Sequence, residues 1–111
     1  EHQARLTVLH VIGKEKVGEL VHEDNYADST LRRLRELVPP EAHAWCEPHF
    51  RVEKGDVADK ILEVAMAQGA DLIVLGVRGA GGHVGAATHL IRHTAHRIVT
   101  QAECPVFTVR G

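Results

Sequence analysis

Two groups of residues in this 111-residue chain have types and spacing suited to chemistry. The first lies in Asp71-Leu-Ile-Val-Leu-Gly-Val-Arg-Gly-Ala-Gly-Gly-His-Val-Gly85, where the apolar run Leu72 to Leu75 empties into Gly76, Gly79, Gly81, Gly82 and Gly85. Glycine lets the backbone approach an anion closely, and free N–H groups at the start of a following helix point at negative charge. Gly79, Gly81 and Gly82 are therefore candidates to cradle a phosphate, with Arg78 adding a charge-assisted contact. The same glycines also suit a plain tight turn, with Leu75 simply part of a core.

The second group is histidine, nine residues in all. His89, His93 and His96 are spaced i, i+4, i+7, so on a helix they cluster on one face, opposite Ile91, Ile98 and Ala102. With His83 they form a weak candidate transition-metal set, lacking the carboxylate or fourth ligand that closes such a site. A solvated or subunit-contacting polar face fits the same pattern. A histidine-lined loop mouth would also make anion binding pH-dependent. His10 stands inside an apolar run and reads as a core histidine. Catalysis finds little footing: there is no Gly-x-Ser-x-Gly elbow and no lysine of the phosphate-loop type after the glycines. Cys104 precedes Pro105 with no base near it in sequence and reads as packing.

The elements that must position these residues follow from periodicity. Leu6 to Ile12 is an apolar, β-branched run that predicts a strand buried on both faces. Ala27, Leu31, Leu34 and Val38 predict a helix over 26–38, capped by Asn25 or Asp28 and stopped by Pro39-Pro40. Ala44, Cys46, Pro48, Phe50 and Val52 alternate with polar residues from His43 to Glu53, which predicts a half-buried strand, and Pro48 sends it to a sheet edge. Asp56 caps a second helix with Val57, Ala58, Ile61, Leu62 and Ala65 inward, and Gly69 ends it. The strand Asp71 to Gly76 comes next, then a third helix from about Ala87 to Ala102 and an edge strand, Val106 to Val109, behind Pro105. The order β-α-β-α-β-α-β predicts an α/β fold: a doubly wound parallel sheet with helices on both faces and ligands beyond the carboxyl ends of the strands.

Composition bounds the rest. Hydrophobic residues are 44% and charged residues 25%, ordinary for one globular domain, here spanning residues 1–111. A formal charge of −2 without a basic block argues against nucleic acid. No apolar run approaches membrane-spanning length, so a cytoplasmic protein is expected. Cys46 and Cys104 lack CxxC spacing and read as buried free thiols in a reducing compartment.

Three segments together resemble the universal stress protein family, with its adenine nucleotide alpha hydrolase-like fold. They are Ala4-Arg-Leu-Thr-Val-Leu-His-Val11, then Val52-Glu-Lys-Gly-Asp56 with its helix running into Ala70-Asp-Leu-Ile-Val-Leu-Gly76, and Glu103-Cys-Pro-Val-Phe-Thr-Val-Arg110. The resemblance implies a stress-response binding or signalling module in which Val11, Leu75 and Gly76 line an adenosine pocket and Gly79 approaches phosphate, with ATP or AMP as ligand and slow ATP hydrolysis at most. It also implies a homodimer or higher oligomer paired through the closing strand Val106 to Val109.

Two departures qualify this. Nucleotide-binding members carry Gly-x2-Gly-x9-Gly-Ser/Thr; Gly76 and Gly79 supply the first pair, but the count arrives at His89-Leu90, and a register three residues longer arrives at Arg92-His93. The family's first βα unit, whose strand holds an aspartate for adenosine, is absent. The expectation is a fragment, or a form that borrows the unit and oligomerises or aggregates around an open apolar gap. A non-nucleotide interaction module and a metal-binding subunit are the alternatives.

Overall fold

In the computed structural model of the chain, residues 4–13, 23–77 and 92–110 are described. The chain divides into two units, Glu1–Asp56 and Val57–Gly111. Its elements keep the predicted alternation, and the strands pair in parallel within each unit.

In the first unit, β1 (Ala4–Ile12) pairs with β2 (Cys46–Lys54) in an unbroken register from Ala4↔Cys46 to Ile12↔Lys54. Side chains alternate across a sheet, so Leu6, Val8, His10 and Ile12 share one face with Cys46, Pro48, Phe50 and Val52. Helix α1 (Glu23–Leu37) packs on that face, where the Arg35 guanidinium lies 6.0 Å from the Phe50 ring centre. The other face carries Glu47, His49, Arg51 and Glu53 beside Arg5, Thr7, Leu9 and Val11. There His49 Nε2 lies 3.1 Å from Glu47 Oε2, and Arg51 Nη2 donates to Glu53 Oε2 at 2.8 Å.

Three expectations are corrected in this unit. Burial in β1 rises from exposed Ala4 to buried Ile12 instead of covering both faces, because apolar residues stand at both parities of the run (Leu6, Val8 and Ile12; Leu9 and Val11) and give no sidedness. Helix α1 starts at Glu23, so Asn25 and Asp28 fall inside it and do not cap it; acidic residues suit a first turn as well as a cap. Residues Pro40–Ala44 form a 3₁₀ helix that delays the strand to Cys46. Pro39 is extended (φ −67°, ψ 149°), as a residue before proline must be, and Pro40 is pre-set for the first helical position. The turn closes with Trp45 N–H donating to Ala42 O at 3.1 Å, and Ala42 is buried.

In the second unit, α2 (Val57–Gln68) follows Asp56 and ends on Gly69 at φ 64°. Gly69 N–H donates to Met66 O at 3.1 Å and Ala70 N–H to Ala65 O at 2.9 Å, the paired bonds of a Schellman cap. Strand β3 (Ile73–Val77) pairs with β4 (Val106–Arg110), Ile73 opposite Val106 and Val77 opposite Arg110. Helix α3 (Arg92–Gln101) lies between them in sequence. Ile73 and Leu75 point into a core with Ala58 of α2 and Ala95 and Ile98 of α3, and Ile98 is 0% exposed. Burying an isoleucine side chain in full contributes about 1.5–3 kcal/mol. An Arg97–Asp59 ion pair ties α3 to α2 beside this core.

Candidate functional site

Strand β3 delivers the glycine segment. Its last residues, Leu75, Gly76 and Val77, stand opposite Thr108, Val109 and Arg110 at the carboxyl end of the β3–β4 pair, the end where open α/β sheets take ligands. Leu75 is buried in the core cluster with Ile73 and Ile98, so its backbone is what a ligand would meet. Gly76 is half-buried and brings no side chain to block an approach. Arg78, Gly79, Gly81 and Gly82 lie outside the described residues, as do Gly85, His83 and His89.

Val11 belongs to the first unit. It is half-buried near the carboxyl end of β1, opposite Glu53, on the face that carries the ion pairs of β2. Val11 and the Leu75-Gly76 pair thus each occupy the carboxyl end of their own strand, one in each unit.

The histidine face is visible in part. His93 and His96 are exposed on α3, and Ile98, on the opposite side of the same helix, is wholly buried. Among the described residues no group of three or more His, Cys, Asp or Glu is placed to hold a metal. His10 is half-buried on the α1 side of β1, and burial pushes its pKa below the ordinary value of 6.5. Cys46 is buried, Cys104 is half-buried, and both are free thiols.

One feature escaped the sequence reading. Val74, Phe107 and Val109 alternate with the inward residues of β3 and β4 and so lie on the side of this sheet away from Ile98, exposed by 60%, 63% and 54%. Leu72, just before β3, is exposed too. The run Leu72 to Leu75 is apolar throughout, so composition gave no signal that alternate members face outward; only the parity set by the buried Ile73 and Leu75 separates them.

Parallel strands joined by helical crossovers, with Gly76 at a strand's carboxyl end, define an α/β protein. The chain belongs to the universal stress protein family, whose model matches residues 1–110. It is 33% identical to a universal stress protein encoded in the QAH/OAS sulfhydrylase 3' region of Thermus aquaticus, over 98% of this chain and 80% of that one. It is 30% identical to universal stress protein MJ0531 of Methanocaldococcus jannaschii, over 86% of this chain and 52% of that one. Among solved structures, the hypothetical proteins PH0823 and MJ0577 superpose with TM-scores of 0.71 and 0.71 at 21% and 19% identity. Each match covers 99% of this chain and 78% of the other, and these likenesses establish the fold. No helix among the described residues is long and apolar enough to cross a membrane.

Proposed function

We propose that this chain is a cytoplasmic binding and signalling module of the stress response that self-associates through β4. Strand β4 carries the reading. Among the described residues it pairs with β3 alone, and its Phe107 and Val109 are exposed. From Val106 to Val109 it holds none of the charges that usually blunt a sheet edge. A second copy adding its own β4 would pair the free backbone groups and shield the apolar side chains. Light scattering across a dilution series tests this. A dimer that weakens about tenfold or more in the Phe107→Glu variant is expected; a wild-type monomer at every concentration would overturn it.

The ligand of this module is an adenine nucleotide, ATP or AMP. In the second unit the backbone of Leu75-Gly76 takes the adenosine side, and Arg78, Gly79, Gly81 and Gly82 meet phosphate. The placement of Gly76 at a strand's carboxyl end supports this reading. Calorimetry with ATP, AMP and zinc in separate titrations checks it. Heat with a nucleotide is expected, accompanied by slow phosphate release at most. Heat with zinc alone would shift the reading to the His89, His93 and His96 face, and no heat at all would leave the self-associating module without a ligand.

A further inference from the structure

We propose that the first unit is an acid-sensitive latch, in which His10 releases the packing of α1 on the β1–β2 sheet when it takes up a proton. His10 stands between Val8 and Ile12 on the face that α1 covers, directly opposite Val52 and one residue pair from Phe50. Ile12 and Cys46 on this face are buried, as are Thr30 and Leu34 of α1. Among the described residues no hydrogen bond or ion pair joins the His10 ring. A half-buried imidazole without a partner favours its neutral form, and its depressed pKa expresses the same cost.

Burial is the cause of that cost, and the charged groups of the packed elements are placed as follows. Among the charged residues of α1, Arg35 is seated over Phe50 on this face, and Asp28, Arg32, Arg33 and Glu36 are exposed. Lys54 ends β2 in register with Ile12. The 3₁₀ helix between α1 and β2 bears Glu41 and His43, both exposed. The carboxylates of β2, Glu47 and Glu53, occupy the opposite face of the sheet, where they pair with His49 and Arg51. No carboxylate of β1 or β2 shares the face of His10.

The direction in pH follows. Between the lowered folded value and 6.5 the unfolded chain binds more protons than the folded unit. The contribution of neutral His10 is full above pH 6.5 and is lost as pH falls through the folded value. Each pH unit of depression lowers the folded-to-unfolded ratio by about tenfold at the acid end. A module with this property would loosen its first unit under mild acidification and keep its second unit closed.

The test is made on the whole chain. Amide exchange at pH 7 and pH 5, corrected for intrinsic rates, should show protection lost in α1, β1 and β2 and retained in α2, α3 and β3. The His10→Gln variant, polar but never charged, should keep its first-unit protection at both values. If that variant does not fold, an NMR titration of the His10 ring in the wild-type chain decides the matter. A midpoint below 6.5 together with resonance changes in α1 supports the latch; a midpoint at or above 6.5, or unchanged α1 protection at pH 5, overturns it.

Discussion

The two units solve the same problem with opposite outer faces. Each is a parallel pair of strands with helical cover on one side, α1 over β1–β2 and α2 with α3 against β3–β4. On the side away from α1 the first sheet presents Glu47, His49, Arg51 and Glu53, arranged as two ion pairs along one strand, beside half-buried Thr7, Leu9 and Val11. The second sheet presents Val74, Phe107 and Val109 on its side away from Ile98. A charged face is stable against water, whereas a continuous apolar face marks a surface for association. The difference separates a sheet face dominated by ion pairs from an apolar one suited to a partner at β4.

The cores differ as well, and this gives the largest expected effect. Ile98 is 0% exposed amid Ala58, Ala95, Ile73 and Leu75, so its truncation leaves a cavity in that core. Ile98→Ala should destabilise the second unit by about 2–5 kcal/mol. Residue-resolved amide exchange would place the loss in α2, α3 and β3. A loss spread equally over β1 and β2 would break the comparison, since the two units would then unfold as one.

How the helices stop sharpens the contrast by a smaller amount. Helix α1 runs into Pro39-Pro40, whereas α2 ends on Gly69 at φ 64°, with nothing within 4 Å of the position an added Cβ would take. Gly69→Ala therefore acts through backbone conformation alone, and an expected loss of about 1–2 kcal/mol follows from the left-handed φ. Pro39→Ala removes a restriction on the unfolded chain and should lose under about 1 kcal/mol. Urea midpoints of the two variants would show whether that ranking holds.

The same contrast tells what was legible in the residues. Gly69 and the βαβαβαβ order could be read because an amphipathic helix and a terminal glycine have a period and a position. The 3₁₀ helix could not, since Glu41-Ala-His-Ala44 alternates just as the strand after it does. Sidedness was legible in β2, where charge alternates, and illegible in β1 and β3, where apolar residues stand at both parities. The candidate site divides similarly. Gly76 was placed by its strand, and the core reading of Leu75 agrees with its burial beside Ile98. The roles given to Arg78, Gly79, Gly81 and Gly82 rest on the family resemblance and on glycine chemistry.

The smallest effect concerns ion pairs, where the units look alike but differ in what is joined. Arg51 and Glu53 sit two residues apart on one strand, so their pairing orders a surface that the strand has already fixed. Arg97 and Asp59 are 38 residues apart and link α3 to α2. Both pairs are substantially exposed, which limits each to about 0–1 kcal/mol. A double-mutant cycle on Arg97→Ala and Asp59→Ala should give a coupling at the upper end of that range, because the contact forms only when the two helices dock. The matching cycle on Arg51 and Glu53 should give a value near zero, since the strand holds both groups side by side with or without the pairing. Added salt should shrink the Arg97–Asp59 coupling. Equal couplings in the two cycles would show that chain separation adds nothing here, and that the docking of α3 on α2 rests on Ile98 and its apolar neighbours alone.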